Sequence, residues 1–251
     1  MRNVFNALSL LRMLALGAVS IPAVFAGTFD AETQFSLTTN TASNTWSYWG
    51  SSSTTVSTYP STIALLPVLF DKTCGFGTSC WDATTIIGNL ILQNATGSDV
   101  TAFPNSDARN DQLTFYPRTG LVLVRFLVPT TGAYDLTGLF EGSASTPQFS
   151  QDFIDIDENV GSPLLNSSGG LAFGAVNSFD FTNLSLNAGN TVDFLVAGTS
   201  TDGNNSLSTG FDATFTQVTS VPEAGGFVLL AGGLLVLGAV KKYKRVGRTA
   251  V

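Results

Sequence analysis

The chain contains no histidine, only two cysteines and two methionines, and charged residues make up just 12% of its 251 positions. Without histidine, Ser-His-Asp and Cys-His catalysis are excluded, and zinc loses its commonest ligand. Basic residues number 11 against 18 acidic ones, and they sit mostly at the ends: Arg2 and Arg12 in front, and Lys241, Lys242, Lys244, Arg245 and Arg248 behind. Between residues 27 and 223 only Lys72, Arg109, Arg118 and Arg125 stand against all 18 acids, a formal charge of −14. So acidic a body turns away nucleic acid and anionic lipid, and it leaves cations and neutral ligands as partners or serves solubility alone. Persuasive helical periodicity is also missing from this stretch, which is rich in Ser, Thr, Asn, Gly and Phe, a composition of strands and turns.

What is present begins at the two ends. Arg2, an apolar stretch over Leu8–Val24 and small residues at Val24–Ala26 read as a secretory signal cleaved after Ala26, occupying residues 1–26. At the other end, Ala224–Val240 carries no charge and is about 17 residues long, the lower limit for a bilayer-spanning helix. Its polar face is missing, as it would not be in a buried core helix. The basic cluster Lys241, Lys242, Lys244 and Arg245 then stops it at the cytoplasmic face, which puts the body outside the cytoplasm.

The ordered set of signal, exported body, Val221-Pro222-Glu223, glycine-rich span and basic tail resembles the PEP-CTERM sorting domain of Gram-negative bacteria. That resemblance implies an exosortase, a multi-pass membrane cysteine peptidase, as a partner. It would cut near the motif and deliver the body to the cell surface or the extracellular matrix. Ala224 stands where the family has its second proline, so the motif does not fix the cut.

Residues 27–215 are expected to form one domain, with a tether at 216–220 and the sorting segment over 221–251. Leu121–Val128 is apolar on both faces except at Arg125, as in a strand buried between layers. Pro129 and Gly132 turn the chain into Ala133–Phe140, and the two runs read as a hairpin. Phe179 and Phe181 lead to Leu184 and Leu186, the turn Asn187–Gly189 and the run Val192–Val196; Phe211, Ala213 and Phe215 close the series. Gln34–Leu37 and Leu113–Phe115 are shorter strand signals, and Ile86–Leu92 suits a strand or a short helix. The fold class is therefore all-β, an antiparallel sandwich of jelly-roll kind.

A second resemblance covers most of the body. Phe35–Asn40 with Trp46–Gly50, Val124–Gly142, Asn187–Gly198 and Ser208–Val218 are similar to a recurrent domain of PEP-CTERM proteins. That domain resembles carbohydrate-binding-module sandwiches in its strand pair, which implies a fold and carries over no catalytic residue.

Candidate sites follow from residue types. Cys74 and Cys80 flank Gly75 and Gly77, and in an oxidising compartment they are expected to close a small disulfide loop. Trp46, Tyr48, Trp49 and Trp81 offer flat faces on which a sugar ring of an extracellular polysaccharide could stack, with Tyr59 nearby; the competing reading places Trp46 and Tyr48 in the core. Asp152, Asp155, Asp157 and Glu158 are dense enough to gather calcium, although alternation equally puts Asp155 and Asp157 on the wet face of a strand. Asp202, Asn204 and Asn205 form a second oxygen-rich loop. Arg125, costly in an apolar strand unless paired, is expected to meet Asp135. No spacing singles out two carboxylates about 5 Å apart, as a retaining glycosidase needs, so the body is read as a structural or binding module and not an enzyme.

Overall fold

A computed structural model describes residues 27–51, 63–66, 68–70, 73–83, 89–103, 106–117, 120–143, 152–159, 162–167, 171–198 and 208–218. The signal segment and everything from residue 219 onward, including Val221, Pro222, Glu223 and the basic cluster, lie outside them. So do Tyr59 and the loop Asp202–Asn205. Among the described residues all regular structure is strand, and no helix is long and apolar enough to cross a membrane.

In chain order the strands are β1 (Thr28–Asp30), β2 (Trp46–Ser51), β3 (Ala64–Leu65), β4 (Val68–Phe70), β5 (Ser79–Asp82) and β6 (Leu90–Gln93). Then come β7 (Val100–Phe103), β8 (Ser106–Ala108), β9 (Leu113–Tyr116), β10 (Leu121–Leu127) and β11 (Gly132–Gly142). The series ends with β12 (Asp152–Glu158), β13 (Ser162–Ser167), β14 (Val176–Leu186), β15 (Thr191–Gly198) and β16 (Thr209–Val218). One sheet runs β14-β11-β16-β9-β6-β5-β4, with β1 also on β16; the other runs β13-β12-β15-β10-β2-β3, and β7 with β8 forms a small ribbon. All pairs are antiparallel, so the sandwich class expected from composition is what the chain adopts.

The expected hairpin between Leu121–Val128 and Ala133–Phe140 does not form. β10 pairs with β2 and β15 in one sheet, whereas β11 pairs with β14 and β16 in the other, so the chain crosses the core at Pro129–Thr131. Both strands have a core-facing apolar row, and facing sheets bury both rows against each other, which a flat hairpin would not. The Tyr134 hydroxyl braces the crossing by donating to the Thr130 carbonyl at 2.7 Å. Likewise Asn187–Gly189 carries β14 into β15 of the opposite sheet.

Alternation decides which side chains meet. Val122, Val124 and Phe126 of β10, Val192, Phe194 and Val196 of β15, and Phe211, Ala213 and Phe215 of β16 all lie in the shared core. Phe126 and Phe215 stack across the two sheets at 3.9 Å between centroids, and Phe194 meets Phe211 at 4.9 Å. Gln34–Leu37, expected as a strand, is instead a turn and loop, because Asp30 Oδ1 accepts from the Thr33 amide at 2.7 Å and curls the chain. Thr216–Val218, expected in the tether, continue β16, where the Gln217 amide donates to the Gly27 carbonyl at 2.9 Å. Of Ile86–Leu92, the end Leu90–Leu92 is strand, and residues 84–88 lie outside the described set.

Candidate functional site

The loop from Gln34 to Thr45 wraps one side of the sandwich and is stitched by its own side chains. Asn44 donates to the Thr39 carbonyl at 2.9 Å and accepts from the Thr41 hydroxyl at 2.8 Å. Asn40 takes the place of a strand residue: its amide group donates to the carbonyls of Tyr48 and Leu66 and accepts from the Tyr48 amide at 2.9 Å. Side chains of this kind hydrogen-bond the backbone locally, so the Ser/Thr/Asn-rich run makes a preformed loop without being a strand.

Three of the four aromatics proposed for sugar stacking lie inside. Trp46 is 3% exposed, Tyr48 0% and Trp81 5%, so none of their ring faces is open to a sugar, and the core reading of Trp46 and Tyr48 prevails. Their polar tips hold the loop instead: Trp46 Nε1 donates to Gln34 Oε1 at 3.0 Å and Trp81 Nε1 to the Ser36 carbonyl at 2.9 Å. The Tyr48 hydroxyl accepts from the Ser36 amide at 3.1 Å; burial raises this phenol well above its ordinary pKa, and the Ser36 bond offsets part of that.

Over these anchors lies an open cleft of about 500 Å³ between Phe29, the edge of Trp46 and the loop side chains Gln34, Ser36, Ser43 and Asn44. Thr39 and Thr45 complete its wall. The lining is amide, hydroxyl and aromatic, with no titratable group. Sequence reasoning placed Gln34 and Asn44 only as generic polar partners. The cleft is local in sequence: all its lining residues lie between Phe29 and Trp46, on β1, the loop that follows it and the start of β2.

The fourth aromatic, Trp49, lies on the outward face of the β2-containing sheet, half-buried. The Arg125 guanidinium sits 4.8 Å from its ring centroid. Arg125 does not meet Asp135, whose carboxylate accepts from the Asn183 amide at 2.8 Å. Its partner is Asp193, directly across on β15, bound through two hydrogen bonds at 2.6 and 2.8 Å. Burial pushes the Asp193 carboxyl up and the Arg125 guanidinium down, and the two-pronged bond opposes both by favouring the charged pair. The sequence signal was the lone Arg and the lone Asp each interrupting an apolar strand.

The acidic run Asp152–Glu158 forms β12. Asp155 and Asp157 point outward together as alternation requires, but they are 3% and 5% exposed, so that face is not wet. Burial first, and then the Asp157 charge, raises the Asp155 pKa to about 6. Among the described residues no three Cys, Asp or Glu side chains gather as a metal set, and the Asp152 side chain lies outside them. Cys74 and Cys80 are joined as expected. Their loop turns through Gly75, Phe76 and Gly77, all at positive φ, and leaves Phe76 exposed.

No family model matches the chain, and no curated protein does either. Solved structures with partial likeness include the carbohydrate-binding module TmCBM61 in complex with β-1,4-galactotriose, at 10% identity and TM-score 0.32, covering 51% of this chain and 81% of that one. Carbohydrate-binding module CBM36, in complex with calcium and xylotriose, gives 14%, 0.25, 43% and 81% in the same order. The ANX2 ectodomain from Arabidopsis thaliana gives 10%, 0.30, 43% and 33%. None of these TM-scores reaches 0.5, so the likenesses bear no weight on function.

Proposed function

We propose that this chain is an exported, non-catalytic interaction protein of the cell surface or extracellular matrix whose sandwich, a jelly roll, binds a neutral polysaccharide in the Gln34–Trp46 cleft. The observation that carries the reading is the lining of the cleft: hydrogen-bonding amides and hydroxyls beside the Phe29 side chain and the edge of Trp46, with no charge and no titratable group. Sugars ask for that mixture of polar partners and apolar surface, and a body of net charge −14 favours neutral chains over acidic ones. The absence of any carboxylate from the lining argues for binding and against glycosidic cleavage, which needs a pair of them.

Sorting rests on the sequence: the PEP-CTERM-like segment 221–251 would hold the chain in the membrane until an exosortase-like peptidase releases it. Mass spectrometry of the native C-terminus tests this part, and most copies still carrying Lys241–Arg245 would contradict it. For the cleft, the full chain is screened against an array of neutral and acidic glycans beside Ser43→Trp, which fills the cleft from an exposed position. Binding of neutral glycans that the variant loses by tenfold or more is expected; no binding to any neutral glycan, or equal binding by the variant, overturns the assignment.

A further inference from the structure

Among the described residues five strands of the two sheets pair on one side only, and four of them are poor templates for pairing. β3 has two residues, β1 and β4 three each, and β13 carries Pro163 beside a register shift. Short length, proline and irregularity are the devices that keep sheet edges from adding a strand. The fifth, β14, has none of them along its first half. It is 11 residues long, contains no Pro, Lys or Arg, and carries Asp180 as its only charge. From Val176 to Phe181 it pairs with β11 in unbroken register. Only then does a bulge set Thr182 and Asn183 against Asp135, with Asn183 at φ 62°.

Among the described residues no strand pairs with the other edge of β14. Every second residue of such a strand turns its N–H and C=O outward. Val176, Ser178 and Asp180 form its exposed row, with Val176 at 53% exposure. Just before it, the turn Ala172–Ala175 is pinned by the Gly174 amide donating to the Gly142 carbonyl at 2.7 Å, and it holds Phe173 out at 45% exposure. Two exposed apolar side chains thus flank the start of an open, nearly uncharged edge.

We propose that β14 pairs antiparallel with β14 of a second copy of this chain about a two-fold axis at Ser178, so that one sheet continues through two molecules. A two-fold axis normal to the sheet pairs residues of equal parity, which keeps both core faces on one side. Centred on Ser178, Val176 of each copy lies across from Asp180 of the other, and the pairing ends before the bulge. A centre at Asp180 would set two carboxylates opposite each other. Because each body carries −14, the copies repel at long range and association tightens with added salt, the reverse of what a basic partner would show. This goes beyond the cleft and does not depend on it.

The test uses the full chain in a mild detergent. Sedimentation is expected to show a concentration-dependent dimer that strengthens with salt, and Ser178→Lys, a charge on an exposed position at the axis, is expected to weaken it at least about tenfold without lowering Tm. Ser178→Cys should form a disulfide-linked dimer under mild oxidation, while Thr38→Cys, exposed elsewhere, should not. A wild-type chain monomeric at about 0.1 mM, an undiminished dimer in Ser178→Lys, or equal cross-linking of the two cysteine variants overturns the proposal.

Discussion

Replacing Arg125 with Met tests the reading of the outward face of β10. Asp193 is fully buried, and its carboxylate receives two hydrogen bonds from Arg125. The Met side chain replaces the stem of Arg125 but leaves the carboxylate in a low-dielectric setting without its fork. Removing one partner of such a pair costs about 3–5 kcal/mol, a large share of the roughly 5–15 kcal/mol that holds a domain together. Replacing both, as Arg125→Met with Asp193→Leu, removes the stranded charge along with the attraction and is expected to recover most of that loss. The pH dependence has a definite sign. Without Arg125, burial beside Asp157, directly across on β12, holds the folded pKa of Asp193 above the unfolded value near 3.9. Its contribution is then fully present below the unfolded value and is lost as pH rises through the folded one. The deficit of Arg125→Met against wild type should therefore shrink in acid and widen toward neutrality. Urea unfolding at several pH values measures both effects, with a double-mutant cycle to isolate the pair. A single variant within about 1 kcal/mol of wild type at neutral pH, or a deficit independent of pH, refutes the argument. Glycan binding in the cleft should be unaffected in whatever fraction remains folded.

Other expectations follow from the same geometry. Asp155, with its pKa raised to about 6 by burial and Asp157, contributes stability that is lost as pH rises through that value, so Asp155→Asn should flatten the fall between acid and neutral pH by about 1–3 kcal/mol; unchanged Tm-against-pH curves would count against it. Reducing Cys74–Cys80, six residues apart, should cost about 2 kcal/mol from the entropy of a short loop, visible as a Tm lowered by about 4–8 °C in calorimetry. Gly138→Ala would drive a methyl into the Asp212 carbonyl oxygen and the Phe179 ring and should cost about 1–3 kcal/mol or more, whereas Gly174→Ala, with open space but φ 72°, should cost only about 1–2 kcal/mol; urea midpoints rank the two.

Alternation made the core faces of β10, β15 and β16 legible, because Val122-Val124-Phe126 and Phe211-Ala213-Phe215 bury as period two demands. Sheet assignment was not legible in the same residues: a run and its successor read alike whether they pair side by side or face each other across a core. Local signals also failed at Gln34–Leu37, where Asp30 caps a turn that apolar residues alone do not reveal. Aromatic residues concentrated in one segment suggested a binding platform, yet Trp46 and Tyr48 share their face with the core, and only their polar tips reach the loop. Arg125 announced that it needed a partner, but its choice of Asp193 over Asp135 depends on which strand lies beside β10, a long-range fact.

The pairing of β1 with β16 has a consequence for timing. Thr28 lies against Thr216, near the two ends of the described sandwich, and β16 also carries β11 and β9 on its flanks. In a chain that emerges N-terminus first, the opening strand must wait for almost the whole body to arrive before it finds its neighbour, and the sheet holding β11 and β9 stays divided until then. Strand pairing across such sequence distances is slow, because the loop entropy is spent before any contact forms. Once that closure is made, the beginning and the end of the described sandwich lie side by side, so both termini of the folded body leave it at one place.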